Sequence, residues 1–264
     1  MQNVIPEELV AMLEFKNILS SLESLGLEIT TEFHNAAPEC NIDFPEVYQF
    51  FAIDLKKQIL HPVSSNLRHL NLCTAEMEWG FRPPFDPRGL HFPKLVSLAL
   101  GKVMFAYDWQ LDWIIGHDKT LEVLALTDCM ILAVGDPEEG IENPSSPDER
   151  NRWVYNRRWH EYFSRLQHGL PLLKRFIMHD SSSEFKFEGL QGLEALYRSS
   201  AELSTGRYGL WADLSVYKPV HTKRGPIWDH NADEENGPTS RICYVEEKEA
   251  LDGLLEAIQV RRGC

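Results

Sequence analysis

The segment Leu121-Glu122-Val123-Leu124-Ala125-Leu126-Thr127-Asp128-Cys129-Met130-Ile131 decides the fold. In a strand of this pattern the second and third leucines, Leu124 and Leu126, face the core, because side chains alternate between the two faces. The opening pattern Leu-x-x-Leu-x-Leu also occurs at Leu22–Leu27, Leu67–Leu72 and Leu95–Leu100, and a looser copy runs from Leu173 to Met178. The same strand-forming pattern therefore recurs several times along the chain.

The spacing of these copies indicates a repeat architecture. Successive copies begin 45, 28, 26 and 52 residues apart, and the last gap is twice 26, as if one degenerate copy lay inside it. Leucine patterns with a period in the twenties are typical of leucine-rich repeats, in which each unit supplies a strand and a helix. We expect an α/β fold: a short leucine-rich-repeat solenoid of five or six strands, with a parallel sheet on its concave side.

Hydrophobic patterning predicts the individual elements. The predicted strands are Leu22–Ile29, Asn66–Leu72, Lys94–Leu100 and Leu172–His179, and Lys119–Ile131 is the copy that matches the repeat template at every fixed position. The predicted helices are Val4–Leu19, Val47–Leu60, Tyr107–Gly116, Asn151–His168 and Glu246–Arg262. The last helix is amphipathic, and an amphipathic terminal helix is typical of the element that caps the open end of a repeat array.

Composition along the chain predicts two regions. Residues 1–198 form the repeat array, with an acidic, Pro-rich loop inserted at about 135–150. Residues 199–264 lack the repeat pattern until the final helix, and we expect this irregular segment and its capping helix to pack on the array.

Charge and cysteine content restrict the classes of partner. The net charge of −14 argues against nucleic acid and anionic membranes as partners, because both reward basic surfaces. The five cysteines are scattered and odd in number, which is typical of free thiols in a reducing compartment. The N-terminus has no secretory signal pattern, and no stretch approaches the roughly 20 apolar residues of a membrane span. We predict a cytoplasmic or nuclear protein.

Sequence motifs of catalysis are missing. The chain has no Gly-x-Ser-x-Gly elbow and no phosphate-binding loop, and His160-Glu161 lacks the second histidine of a zinc helix. Cys129 occupies the Asn/Cys position of the repeat, which predicts a buried thiol bonded to loop backbone. We therefore expect no enzyme activity, no metal and no cofactor.

Two charged patterns have alternative interpretations. Asp108 and Asp112 share a face of one predicted helix, either for acid–base chemistry or as a solvated surface. The arginines of the next predicted helix pair with the acidic loop or contact an acidic partner; they are Arg150, Arg152, Arg157, Arg158 and Arg165.

The concave face of the predicted sheet is the candidate binding surface. Residues between and beside the core leucines of each strand face this side, because side chains alternate along a strand. The candidate contacts for a protein partner are His69, Asn71, Ser97, Val123, Arg175 and His179.

The stretch His91–Leu132 resembles a segment of fungal F-box/leucine-rich-repeat proteins. The similar elements are a His-Phe-Pro lead-in, Leu-Ala-Leu-Gly, Asp-Trp-Gln-Leu-Asp-Trp and the ending Leu-x-x-Cys-x-Ile-Leu. The Trp79-Gly80 motif upstream and Trp159-His160-x-Tyr162-Phe163 downstream are also similar.

This resemblance implies a function in target recognition. In that family an N-terminal F-box docks on the adaptor of a cullin-type ubiquitin ligase, and the repeats recruit the target. Here Ile5-Pro6-Glu7-Glu8-Leu9 is similar to the opening of an F-box, but the first repeat begins by Leu22 and leaves no room for its remaining helices. We expect a non-catalytic protein–protein interaction module, with a ligase adaptor as partner only if an F-box is present upstream.

An alternative function involves the unrepeated segment 199–241. It contains aromatic and imidazole side chains that could line the pocket of an enzyme or a small-ligand binder: Trp211, Tyr217, His221, Trp228 and His230.

Overall fold

A computed structural model describes residues 6–30, 45–75, 77–135, 153–179, 201–203, 207–210 and 243–263. These residues form an α/β fold with a five-stranded parallel sheet flanked by helices. The strands lie side by side in chain order: β1 (Ser24–Ile29), β2 (His69–Thr74), β3 (Ser97–Gly101), β5 (Val123–Thr127) and β8 (Arg175–His179). Each of the five copies of the leucine pattern therefore contributes one strand. The degenerate copy expected between Leu121 and Leu173 adds no sixth strand to this sheet, because β5 pairs directly with β8.

The strands pair without any shift in register. Leu25, Leu70, Leu98, Leu124 and Phe176 stand opposite one another across the sheet, and a second row joins Leu27, Leu72, Leu100, Leu126 and Met178. From β2 to β8 these two rows are buried in one continuous core. The leucine pattern thus fixes the register, because a slip by one residue would turn every one of these side chains out of the core.

The same pair of backbone hydrogen bonds recurs at the start of each successive strand. The carbonyl oxygen of Glu23 accepts the backbone N–H groups of Arg68 and His69 at 2.8 and 3.0 Å. Arg68, Val96 and Glu122 do the same for the two residues that open the next strand, with the same two distances each time. Four successive connections therefore enter the sheet in the same way.

The repeat copy over Lys119–Ile131 contains β5 and the start of a second strand. The chain turns at Asp128, whose φ of 51° is in the left-handed region, and Lys102 makes the equivalent turn 26 residues earlier with a φ of 59°. Beyond these turns run β4 (Met104–Phe105) and β6 (Met130–Gly135), which pair in parallel. A second sheet results, completed by β7 (Trp153–Val154) and β9 (Tyr208–Leu210) on β6.

The helices confirm some predicted boundaries and correct others. They span Glu7–Ala11, Leu13–Ser21, Pro45–Gln49, Phe50–Leu60, His61–Val63, Asp108–Ile115, Trp159–Gly169 and Tyr244–Arg262. The helices predicted at Tyr107–Gly116 and Glu246–Arg262 are confirmed. The predicted N-terminal helix is interrupted at Met12, which is extended, and Phe50–Leu60 adopts a π-helix.

The helix predicted over Asn151–His168 begins later than expected. Trp153 and Val154 instead pair antiparallel with β6, and Tyr155 donates its N–H to the carbonyl of Ala133 at 3.0 Å. The helix starts at Trp159, where the carboxylate of Glu161 accepts the backbone N–H of Arg158 at 2.9 Å. Sheet pairing therefore takes the first residues of a segment whose local pattern is helical.

The Tyr244–Arg262 helix packs on the Trp159–Gly169 helix and on β8. Its buried face is Leu251, Leu254 and Ile258. At its end, Arg261 donates to the carbonyls of Gln167 (2.6 Å) and Leu170 (3.0 Å), which satisfies backbone acceptors at the end of the neighbouring helix. The final helix is therefore fixed to the Trp159–Gly169 helix by both apolar and polar contacts.

Candidate partner-binding face

One face of the parallel sheet carries the six predicted contact residues. The strand register aligns His69 with Ser97, Val123 and Arg175 in one row. Asn71 lies in the next row on this face, and His179 lies in the row after that. The central row is Gly26, Asn71, Ala99, Ala125 and Ile177. The sequence pattern therefore places these side chains on a common face, as expected from the alternation along each strand.

Exposure is unequal across this face. On β1, Ser24, Gly26 and Glu28 are exposed, and on β2 His69 is exposed as well. Toward β8 the face closes, since Ala99, Ala125 and Ile177 form a small buried cluster and Ile177 is only 1% exposed. The face that is open to a partner is thus its β1–β2 side.

The other five predicted contacts are wholly or partly buried. Ser97 is 5% exposed, while Val123, Arg175 and His179 are half-buried. Ser97, Arg175 and His179 also have interaction partners within the chain. Sequence reasoning could not anticipate this, because burial of a sheet face depends on what the rest of the chain places over it.

Asn71 differs from its neighbours on the face. It is 8% exposed, and its amide oxygen is buried with no hydrogen-bond partner. A buried polar atom in that state is destabilising unless some group donates a hydrogen bond to it. Gly26 and Ala99, which stand opposite Asn71 on either side, are too small to cover it. Asn71 therefore lies at the boundary between the exposed and the buried parts of the face.

The paired aspartates on the outer helix are bound by arginines. Arg157 holds Asp108 through two hydrogen bonds, of 2.9 and 3.0 Å, and Arg165 pairs with Asp112. The hydrogen bonds from Arg157 hold the pKa of Asp108 below its usual value. Both carboxylates are about half exposed. The structure thus favours the solvated-surface interpretation of this pair over acid–base chemistry.

These same contacts answer part of the question about the arginine-rich segment. Two arginines of this segment, Arg157 and Arg165, bind carboxylates of the Asp108–Ile115 helix. Arg157 also pairs with Glu161, at 2.8 Å. Arg150, Arg152 and the acidic loop lie outside the described residues.

Cys129 has the structural role predicted from its position in the repeat. Its thiol is buried and lies 3.4 Å from the carbonyl oxygen of Leu100 and 3.5 Å from that of Thr127. Burial raises its pKa to about 12, so the thiolate required of a nucleophile does not form near neutral pH. Cys73, on β2, is also buried, and burial raises its pKa to about 12 as well.

A buried histidine connects the Asp108–Ile115 helix to the loop before β3. His117 is 1% exposed; it donates from Nδ1 to the carbonyl of Trp113 at 3.0 Å, and its Nε2 accepts the N–H of Phe92 at 3.3 Å. Its ring also stacks on His91, with centroids 5.0 Å apart. Both ring nitrogens of the neutral imidazole therefore form hydrogen bonds to backbone, so the described contacts of His117 are structural.

We expect His117 to make the fold sensitive to acid. Burial, followed by the nearby His91, lowers its pKa from 6.5 to about 4. Between those pH values the unfolded chain binds a proton that the folded chain excludes, so stability is complete above pH 6.5 and falls toward pH 4. This difference in pKa between the folded and unfolded chain lowers the free energy of unfolding by about 3 kcal/mol over that pH range.

Urea unfolding at several pH values measures this effect. His117→Gln keeps an acceptor and a donor but cannot titrate, so the loss between pH 6.5 and pH 4 should shrink by most of that amount. The matched control is His168→Gln, at an exposed histidine whose described hydrogen bond is to the carbonyl of Ser164. An equal pH dependence in wild type and His117→Gln would contradict the assignment.

A buried ion pair, which sequence reasoning missed, joins the final helix to β9. Arg207 and Glu247 meet at 2.6 Å, with side chains 3% and 0% exposed. Tyr208 donates its hydroxyl to the same carboxylate, and the indole N–H of Trp159 donates to the carbonyl of Arg207 at 2.7 Å. The partners are about 40 residues apart in the chain, so no local sequence signal identifies them.

The remaining predictions about sites are only partly covered by the structure. Of the segment 199–241, only 201–203 and 207–210 are described, so Trp211, Tyr217, His221, Trp228 and His230 lie outside the described residues. Across the described ranges, no three His, Cys, Asp or Glu side chains are grouped as a metal site. Nor is any helix in that part of the chain long and apolar enough to cross a membrane.

Comparison with known proteins adds no family to this picture. A scan against models of protein families found no match, and searches of curated proteins and of solved structures found none either. The resemblance to fungal F-box/leucine-rich-repeat proteins therefore stays a prediction.

Proposed function

We propose that this chain is a non-catalytic protein–protein interaction module built as a short leucine-rich-repeat solenoid. The observation that carries the proposal is the in-register parallel sheet, whose strands follow one another in chain order with the same connecting hydrogen bonds. Stacked repeats of this kind use the exposed sheet face as a binding surface.

The contact surface we propose is the exposed β1–β2 side of the face. Glu28 and His69 are its exposed charged and titratable side chains, and Ser24 and Gly26 are small enough for a partner to approach closely. Asn71, at the inner boundary, is buried and lies outside this contact surface. Of the contacts predicted from sequence, His69 is therefore the one that we retain as primary.

The proposed partner class is a protein, by analogy with the substrate-recognition half of an F-box-type ubiquitin-ligase subunit. That analogy rests on the resemblance of His91–Leu132, and the ligase connection further requires an F-box upstream. Binding to the sheet face and membership of a ligase are separate proposals, and one experiment can distinguish them.

The experiment is affinity capture with matched charge reversals. We expect a protein captured by the wild-type chain to be lost with Glu28→Arg combined with His69→Glu. The control is Glu256→Arg, on an exposed position of the final helix, which should retain it. Equal capture by both variants would contradict the proposed surface. Co-purification of a cullin-ligase adaptor tests the ligase proposal separately.

A further inference from the structure

A cavity of about 340 Å³ lies beside the N-terminal helices, apart from the sheet face. The Leu13–Ser21 helix forms one wall, and the Phe50–Leu60 π-helix and the turn after it form the other. Its lining combines three apolar side chains with two cations and an amide: Phe15, Leu19, Pro62, Lys16, Lys57 and Gln58. Sites for small molecules have this mixture of apolar walls and a few polar groups.

The two lysines are the charged groups of the lining. Lys16 and Lys57 are both exposed, and neither forms an ion pair with a described carboxylate. The neighbouring Lys56, by contrast, donates to the carbonyl of Arg88 at 2.5 Å. In a chain with a net charge of −14, two unpaired ammonium groups at one cavity form a local positive site. Such a site attracts an anion.

The helix that carries Lys57 has an unusual geometry. Phe50–Leu60 is a π-helix of 11 residues, a conformation that is rare in proteins. Its i→i+5 hydrogen bonding places residues four and five apart on one face, so Ile53 shares a face with Lys57 and Gln58. Ile53 is 43% exposed, which extends the apolar surface beside the two polar side chains.

Gln58 contributes an unsatisfied acceptor. Its amide nitrogen donates to Asp54 at 2.8 Å, while its amide oxygen is buried and has no hydrogen-bond partner. Asp54 is the nearest described carboxylate to this amide, and the Gln58 hydrogen bond orients it.

We propose that this cavity binds a small organic carboxylate with a short apolar body. The ammonium groups of Lys16 and Lys57 would hold the carboxylate, and Phe15, Leu19 and Pro62 would contact the apolar part. A volume of about 340 Å³ lies at the small end of the range of ligand sites, which suits a simple aromatic acid. This site is independent of the proposed protein-binding face.

Calorimetric titration with 4-phenylbutyrate tests the proposal, with 4-phenylbutanamide as a neutral ligand of the same shape. We expect saturable binding of the acid and at least about tenfold weaker binding of the amide, because a charge-assisted hydrogen bond is roughly twice as strong as a neutral one. Equal affinities for acid and amide, or no binding of the acid, would overturn the proposal.

Variants of the lining locate the site. Lys16→Gln combined with Lys57→Gln should weaken binding of the acid by about tenfold or more. Lys119→Gln, at an exposed lysine elsewhere, should leave it unchanged. Ser20→Trp, from an exposed position in the lining, should fill the cavity and abolish binding while the circular dichroism spectrum stays the same. Unchanged binding in the double lysine variant would assign the ligand to another place and overturn the proposal.

Discussion

Replacing Glu247 with alanine is expected to lower the free energy of unfolding by about 3–5 kcal/mol, because it breaks an ion pair between two fully buried side chains. Arg207 is 2% exposed, and its described ion pair is with Glu247 at 2.6 Å. The same carboxylate accepts the hydroxyl of Tyr208, so the variant removes a second buried hydrogen bond. Urea unfolding followed by circular dichroism measures the change.

Two controls separate the ion pair from its surroundings. Glu246→Ala removes the adjacent carboxylate, which is 70% exposed, and should change stability by less than about 0.5 kcal/mol. Arg207→Met combined with Glu247→Leu removes both charges and should recover most of the stability lost in Glu247→Ala. A loss below about 1 kcal/mol in Glu247→Ala would show that the pair is solvated and that the final helix is not fixed to β9 in this way.

Truncating Leu98 to alanine is expected to cost about 3 kcal/mol, within the range of buried leucines. Leu98 lies on the central strand β3, is 0% exposed and stands between Leu70 and Leu124 in the main row of the core. Its removal leaves a cavity that the rows on either side cannot fill without leaving their register. Urea unfolding provides the measurement.

The same substitution at the edge of the row is the matched control. Leu25 occupies the equivalent position on β1 but is only partly buried, so Leu25→Ala should cost about 1 kcal/mol or less. We therefore predict a larger loss of stability at Leu98 than at Leu25, which occupy equivalent positions in two copies of the leucine pattern. Equal losses of unfolding free energy at Leu25 and Leu98 would contradict the description of β3 as central and β1 as an edge of the core.

The leucine pattern contained enough information to predict the parallel sheet. Every copy of Leu-x-x-Leu-x-Leu became a strand, because alternating apolar residues and a fixed period act within each unit. Cys129 was also predictable, since its position in the pattern implies a buried thiol bonded to backbone. The strands and the role of Cys129 both depend on residues within a single copy of the leucine pattern.

Elements that depend on distant partners could not be read from the sequence. Trp153 and Val154 continue a helical pattern but pair with β6, and Asp108 meets Arg157 49 residues later in the chain. The two patterns left open in the sequence, the paired acids and the arginines, turned out to bind each other in part. Charge alone did not indicate this, because either group could equally have met solvent or a partner.

The candidate surface was predictable in position but not in exposure. Alternation along each strand placed His69, Asn71, Ser97 and Arg175 on one face, as the register shows. It could not distinguish the exposed His69 from the buried Ser97, which occupy equivalent positions on neighbouring strands. Burial is a property of the assembled chain.

Hydrogen–deuterium exchange of the chain bound to its captured protein partner tests the central claim most directly. If the β1–β2 side of the sheet is the binding surface, binding should slow exchange in Ser24–Ile29 and His69–Thr74 and leave the Asp108–Ile115 helix unchanged. Slower exchange in that helix and in Trp159–Gly169, with β1 and β2 unchanged, would contradict the account and move the binding surface to the helical side of the fold.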